Sequence, residues 1–432
     1  MGIIKTVAGT FLVRSAGMLA TLLCSVLLAR ILGVDEFGIY SYVIALVTIL
    51  ALPAQAGIPT LLLRETAKAK ATSDWSRMKG VWLWALYAVS LIGVLIIVIA
   101  ALLRGVISFD LAELNNTNII MLGIIMSLLV AIGNVRGAAL RGLGLVIQGQ
   151  LPEEIIRPVS LLMLLIVGAG LSFDINSSFA MGLHVIAALL AFAFGAWLLL
   201  NAKPLELRNK KPEIHWRAWC VSSMPLALMT GIQTVNGHVD LLMLGAIGTI
   251  SEVGVYKVVV SGAALTVFGL QVASVVISPR LASSFARNNL EDVQKIASFG
   301  SLISFLFTIP ILVLFSIFGM QLLDMVFGSE YSVGYTALLI ITASQAISAF
   351  FGSSISIMTM SGNERHVLLA MTIAALVNVV LNLILIPSFG IEGAAIATAT
   401  SIIIWNAYLW AVAKKKLGVD STFLWIILNR SK

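Results

Sequence analysis

Residues 81–103 read VWLWALYAVSLIGVLIIVIAALL, twenty-three positions without a charge. A helix needs about 20 apolar residues to cross the hydrocarbon core of a bilayer. Working outward from this stretch, eleven more of the same kind appear. The predicted spans are 7–30, 40–63, 81–103, 118–140, 156–172, 179–200, 218–246, 254–278, 296–318, 335–359, 367–386 and 392–413. The whole chain agrees. Of its 432 residues 59% are apolar and 11% charged, with a mean hydropathy of +1.04. A soluble domain carries about 25% charged residues, so there is too little polar surface here to coat a globule. Disorder needs high charge and low hydrophobicity. The two cysteines, Cys24 and Cys220, lie in apolar runs and make no disulfide framework. The strand alternation of a membrane barrel is missing. The fold class is therefore an all-α polytopic membrane protein with about twelve transmembrane helices. The first span is too long and carries Arg14, so it reads as a membrane helix rather than a cleaved signal.

The net charge of +7 comes from 27 basic and 20 acidic residues, and its distribution sets the orientation. Lys and Arg stay on the cytoplasmic side. With both termini inside, 22 basic residues fall in inner segments, Arg30 and Arg104 in outer ones, and Arg14, Arg136 and Lys257 within spans. These charges are topology signals, and no nucleic-acid partner is expected.

The chain also repeats itself. Asp35-Glu36-Phe37-Gly38-Ile39-Tyr40 joins spans 1 and 2, and Ser251-Glu252-Val253-Gly254-Val255-Tyr256 joins spans 7 and 8, 216 positions later. Six spans per half is an even number, so the halves are parallel repeats about an axis along the membrane normal, and transporters built so bind substrate between them. The expected organisation is an N-terminal six-helix lobe 1–200, a cytoplasmic basic linker 201–217, a C-terminal six-helix lobe 218–413, and a cytoplasmic or interfacial tail 414–432.

Polar groups inside spans cost about 2.5–3.5 kcal/mol each on insertion scales and face a cavity or a partner. Arg14 shares a helix face with Thr10, Gly17, Thr21 and Ser25, and it either snorkels to the headgroups or enters a cavity. Arg136 lies a turn deeper than Arg141, while Arg141 and Arg157 read as interfacial. Lys257 opens span 8. Span 7 carries Gln233, Gly237 and Asp240 on one face, with His238 beside them. Asp240 is the one acid placed within a span; it reads as an ion or proton site, or as a structural hydrogen-bond acceptor. His238 titrates near neutrality when unperturbed. Gln345, Asn378 and Asn382 suit helix packing or sugar recognition. Three cations against one acid make a cationic lumen, which suits a phosphorylated substrate.

No phosphate-binding loop, metal-binding His-Glu-x-x-His or Gly-x-Ser-x-Gly nucleophile motif occurs, and the loops are too short for a catalytic domain. Neither a catalytic residue, a resident metal nor a cofactor is expected, and the chain does not read as an enzyme.

The stretch Leu28-Ala29-Arg30-Ile31-Leu32-Gly33 followed by Glu36-Phe37-Gly38-Ile39-Tyr40 resembles the opening of bacterial polysaccharide flippases of the multidrug/oligosaccharidyl-lipid/polysaccharide exporter superfamily. Arg64-Glu65, Asp240 with Leu244-Gly245, Asn378, Asn382, Ile386-Pro387 and Gly393-Ala394-Ala395-Ile396-Ala397-Thr398 are similar to later marks of that family, over essentially the whole chain. The resemblance implies a V-shaped, two-lobed bundle of twelve helices. It also implies a flippase that moves undecaprenyl-pyrophosphate-linked oligosaccharide repeat units across the bacterial cytoplasmic membrane for O-antigen or capsule biosynthesis. Its partners are then the lipid-linked substrate, membrane lipids, and polysaccharide polymerase and chain-length machinery. On the residues themselves, Arg14 and Arg136 are the phosphate candidates, with Arg157 and Lys257 second. Gln233, Gln345, Asn378 and Asn382 are the sugar candidates, and Asp240 and His238 the ion couplers. The alternatives are a drug/cation antiporter of the same superfamily, which prefers more acids in its cavity, and a membrane enzyme acting on lipid-linked glycan.

Overall fold

The computed structural model describes residues 2–55, 57–103 and 117–429. Arg104, most of the 104–117 outer loop, Arg430 and Lys432 lie outside the described residues. Among those described there are helices and turns and no strand. Helices are the economical answer in lipid, because each satisfies its own backbone groups.

The helices are α1 (Gly2–Leu50), α2 (Leu52–Gln55), α3 (Ile58–Ala71), α4 (Trp75–Leu103), α5 (Thr117–Gly142), α6 (Val146–Leu151), α7 (Arg157–Gly170), α8 (Ser177–Ala202), α9 (Trp216–Ile247), α10 (Ile250–Ala286), α11 (Leu290–Val326), α12 (Tyr335–Phe351), α13 (Ser354–Met360), α14 (Glu364–Leu417) and α15 (Leu424–Asn429). Among the described residues, eight stretches are long and apolar enough to cross a membrane by themselves. Two of the eight run past one predicted span, because α1 bends at Gly33 (φ 71°) and α14 at Gly390 (φ 50°): α1 holds span 1 and the first part of span 2, and α14 holds spans 11 and 12. Two predicted spans fall outside the eight. Span 5 lands on α7, which has only 14 residues but continues α6 through one π-helical turn, Pro152–Ile156. Span 7 lands on α9, whose apolar character is diluted by Thr230, Gln233, Thr234, Asn236, His238 and Asp240.

Burial is inverted relative to a soluble protein. Leu91, Leu376 and Ile384 are more than half exposed, while Ser301, Ser304, Thr308 and Asn382 are fully buried. Lipid is as apolar as leucine, so packing rests on small and hydrogen-bonding residues. The core between α3, α4 and α5 is built accordingly from Leu61, Leu62, Ala85, Val89, Ala131, Val135 and Ala138.

The chain forms two compact units, Met1–His238 and Val239–Lys432. In the first, α3 and α4 are clamped by buried Glu65, which accepts from Arg77 Nε (3.1 Å) and NH2 (2.6 Å). The 203–215 segment packs against the same helices. Leu207 is buried with Met78, and the Glu213 amide donates to the Ser76 carbonyl at 3.1 Å. In the second unit, α12 and α13 are separated by a break at Gly352 (φ 68°). Hydroxyls bridge it: Ser274 to Ser353 at 3.1 Å, Ser278 to Ser356 at 3.3 Å, and Ser301 to the Phe350 carbonyl at 2.6 Å. The chain after α14 folds back onto this unit. Gln294 of α11 brackets the Asp420 backbone, donating to its carbonyl (2.6 Å) and accepting from its amide (2.7 Å).

Each unit also carries the glutamate of the repeated hexapeptide in a matching position. Glu36 accepts from the Ser177 amide at 2.6 Å, at the start of α8. Glu252 caps Thr249 at 2.8 Å and lies against Gly390, where a methyl group would collide with its carboxylate. The repeated glutamates thus meet the joint before the sixth segment of their own half.

Candidate functional site

A cavity of about 460 Å³ opens in the first unit. Its wall begins where predicted span 2 breaks. Pro53 and Pro59 interrupt the helical ladder, and Gly57 takes φ 77°. A Cβ on Gly57 would strike the α9 backbone at Ser223 and Ala227, so only glycine lets α9 approach. Irregular backbone at membrane depth survives only where it is buried or lines a cavity. Here Leu52, Gln55, Gly57, Pro59 and Thr60 line it, with Thr48 of α1. Asn134 and Arg141 of α5 form a second wall, and Thr230, Gln233, Thr234, Gly237 and His238 of α9 a third. Asn134 donates to Gln55 at 3.4 Å. Arg141 is half-buried and steadied by Nε donating to the Gly137 carbonyl at 3.3 Å. The close approach of Gly149 to Gly137 brings α6 against its stem. Amides, hydroxyls, one imidazole and one guanidinium therefore face the cavity, and none of its lining residues is an Asp or Glu.

Gln233, a sugar candidate in the sequence, and His238, read there as an ion coupler, both line this cavity. Arg141 read as interfacial, and Gln55 and Asn134 were missed. The usable signal was the cluster Pro53, Gly57 and Pro59 inside one predicted span, since an interrupted apolar segment points to a binding site.

The second feature is an ion-pair group around the π-helical turn. Pro152 and Pro158 lack amide donors on either side of it, and the helical ladder slips by one residue. The turn directs Glu153 at Arg136 (3.2 Å) and Arg157 (3.7 Å). Arg136 is 5% exposed, and its NH1 also donates to the Phe192 carbonyl at 2.7 Å. It lies over the Phe192 ring at 5.5 Å. Gly133 and Gly195 leave the room: a methyl on either would collide with Glu153 or with the guanidinium. Arg136 is thus ion-paired and enclosed in this structure. Sequence reading did not pair it with Glu153, because a π-turn is not visible in helical periodicity.

In the second unit Asp240 is 7% exposed and collects donors from α10 and from both arms of the bent α14. Asn382 Nδ2 donates to Oδ1 at 2.7 Å, and Tyr256 and Thr398 both donate to Oδ2, Tyr256 at 3.2 Å. Asn382 Nδ2 also donates to Asn378 Oδ1 at 2.9 Å. Asn382 Oδ1 is buried with no donor among the described residues. An orphan acceptor beside a carboxylate, ringed by further side-chain oxygens, is the donor set of a hard cation.

Of the other predicted residues, Arg14 is exposed on α1, within Coulombic reach of Arg141. Lys257 and Gln345 are half-buried and stand outside these three groups.

With this geometry in place, comparison with known proteins is informative. Residues 3–285 match the model of a family described as polysaccharide biosynthesis protein. A probable low-salt glycan biosynthesis flippase of Haloferax volcanii, Agl15, is 25% identical over 391 residues, covering 86% of this chain and 75% of the relative. An inward-facing multidrug resistance MATE family transporter of the MOP superfamily superposes with a TM-score of 0.78 at 15% identity, over 94% of this chain and 98% of its own. The lipid II flippase MurJ gives 0.73 at 15% identity, over 95% and 87%. These solved structures share the fold. The family match covers well over half of the sequence, and the chain is a multi-pass membrane protein that belongs to the polysaccharide biosynthesis protein family.

Proposed function

We propose that the chain flips a prenyl-pyrophosphate-linked oligosaccharide across the cytoplasmic membrane by alternating access, with both termini inside, for assembly of a surface polysaccharide. The cavity wall carries this reading. It joins one guanidinium to neutral amides and hydroxyls and contains no carboxylate. Arg141 suits a phosphate oxygen pair through its planar fork. Gln55, Asn134, Gln233 and Thr234 suit the hydroxyls of the first sugars. Arg14 and Glu154 both lie within Coulombic reach of Arg141 and oppose one another there. The flippase name of the Haloferax volcanii relative points the same way. An organic-cation antiporter would want acids where this wall has none.

Arg136 and Arg157 serve in this reading as structural charges around Glu153 rather than as first phosphate contacts. The driving ion binds at Asp240, with Asn378, Asn382, Tyr256 and Thr398 supplying oxygen ligands. Such sites in secondary transporters couple an ion gradient to substrate movement.

The test is a leaflet-resolved lipid profile of a deletion strain. Complete lipid-linked oligosaccharide should accumulate on the cytoplasmic face while surface polymer disappears. A normal lipid pool with intact polymer and raised sensitivity to cationic drugs would favour the antiporter instead.

A further inference from the structure

The basic linker between α8 and α9 is a fastened strap rather than a loose loop. It starts where the membrane-crossing α8 ends, so it lies at a membrane surface. Within residues 203–217, Lys203, Arg208, Lys210, Lys211 and Arg217 stand against Glu206 and Glu213, and all seven are exposed. Glu213 is engaged by His215 Nε2 at 2.9 Å. The strap is tied to α4 through its backbone. The Glu213 amide donates to the Ser76 carbonyl at 3.1 Å, and Lys79 Nζ donates to the Lys210 carbonyl at 2.8 Å. A methyl group on Gly80 would collide with the Glu213 backbone, so the close approach requires glycine there. These ties use linker main chain and none of its basic side chains.

Large apolar side chains stand exposed among these cations. The short helical turn Leu205–Leu207 buries Leu207 against Met78 and leaves Leu205 86% exposed. Ile214 is nearly half exposed and Trp216 more than half, with the Arg217 guanidinium over the Trp216 ring at 5.2 Å. The exposed surface is apolar on either side as well, at Trp197 and Leu200 near the end of α8 and at Val221 and Met224 in the opening turns of α9. A strap standing off in water would gain nothing by exposing Leu205, Ile214 and Trp216. Tryptophan and aliphatic residues interleaved with lysine and arginine suit the headgroup layer, where one end of the segment is apolar and the other wet. Basic residues held there are attracted by acidic lipid within a screening length of the surface.

We infer that residues 203–217 form a docking surface for the anionic headgroups of the adjoining leaflet, with Leu205, Ile214 and Trp216 set into the interface and Arg208, Lys210 and Lys211 holding lipid phosphates. The occupant is a lipid surface rather than a soluble protein, because the apolar residues are interleaved with cations on a segment that continues the exposed apolar faces of α8 and α9. The strap is fastened to α4, so acidic lipid bound to it steadies the first unit. This surface is separate from the cavity and does not depend on the cargo.

The experiment compares the purified full chain in nanodiscs of phosphatidylcholine alone and of phosphatidylcholine mixed with phosphatidylglycerol. A bimane label is placed on Asn209→Cys in a Cys220→Ser background, since Cys24 is buried. In the acidic nanodiscs, quenching of the bimane by headgroup-proximal spin-labelled lipid should rise several-fold, and the melting temperature should rise by several degrees. Arg208→Gln/Lys210→Gln/Lys211→Gln, which changes only exposed side chains, should melt like wild type in phosphatidylcholine and lose both responses to phosphatidylglycerol. Salt of about 1 M, where the screening length falls to about 3 Å, should abolish both responses in the wild-type linker. Equal quenching in the two lipids, or a response to phosphatidylglycerol that survives in the triple variant, overturns the inference. A bimane unquenched by lipid and open to aqueous iodide in both nanodiscs also overturns it, and leaves the strap as a surface for a soluble partner. If the triple variant does not fold, the salt arm decides: a response that persists at high salt overturns the inference, and one that disappears supports it.

Discussion

Arg136 and Glu153 meet at 3.2 Å across the π-helical turn, with the guanidinium almost wholly enclosed. Their pairing turns the deepest arginine of the first unit into a support for α5, α7 and α8. Removing one partner of a buried pair leaves the other charge uncompensated and costs about 3–5 kcal/mol. Glu153→Gln, which leaves the buried Arg136 charge unanswered, should therefore lower the melting temperature strongly, and Arg136→Met with Glu153→Gln should lower it much less. A double-mutant cycle by thermal melting measures the difference. Equal losses in single and double variants would refute the pairing.

Arg141 predicts the opposite pattern. It is half-buried, lines the cavity and donates at 3.3 Å to a carbonyl of its own helix, with Glu154 within Coulombic reach. Arg141→Ala should leave the melting curve within about 0.5 kcal/mol of wild type, as exposed substitutions generally do. It should abolish complementation of the deletion strain, and Arg141→Lys should restore part of it. Lysine keeps the charge but lacks the planar fork. Full complementation by Arg141→Ala would remove this residue from the substrate site.

Gly57 is tested by a single methyl group. Its φ of 77° costs an L-residue about 1–2 kcal/mol, and the added Cβ would also strike α9. Gly57→Ala should reduce both stability and transport, because α9 must retreat from the break that lines the cavity. A cysteine-accessibility assay at Thr230 and Thr234 would report that retreat as faster labelling.

Asp420 supplies a pH dependence outside the membrane spans. Burial acts to raise its carboxyl, but donors from Trp410 (3.0 Å), Thr422 (2.8 and 3.1 Å) and Lys414 (3.1 Å) outweigh that and hold it below the usual carboxylate range. A depressed carboxyl stabilises the fold fully above its unfolded value of about 3.9, and that contribution fades as pH falls through the lower folded value. Asp420→Asn should melt lower than wild type at neutral pH and converge with it in acid. Parallel melting curves from pH 7 down to pH 3 would refute the linkage.

Much of the fold was legible in the sequence because lipid enforces simple rules. Apolar length marks helices, and the offset between Glu36-Phe37-Gly38-Ile39-Tyr40 and Glu252-Val253-Gly254-Val255-Tyr256 marks the repeat. Asp240, Asn378 and Asn382 also stood out as polar residues inside apolar runs, but the sequence read Asn378 and Asn382 as sugar candidates and did not place them beside Asp240. Arg136 stood out equally, but its surroundings did not. Its partner Glu153 is brought round by a π-turn, and its space is opened by Gly133 and Gly195.

The sequence by itself thus determined that this chain is a helical membrane protein with two related halves, since those properties are sums over many residues and survive any detail of packing. Only the tertiary structure decided which charges are structural supports and which face a cavity. A buried arginine beside a glutamate and a half-buried one beside a broken helix look alike in one dimension. Their difference lies in distances of 3–4 Å between residues far apart in the chain or turned together by a slipped helical ladder, as Arg136 shows with Glu153 at 3.2 Å and Phe192 at 2.7 Å.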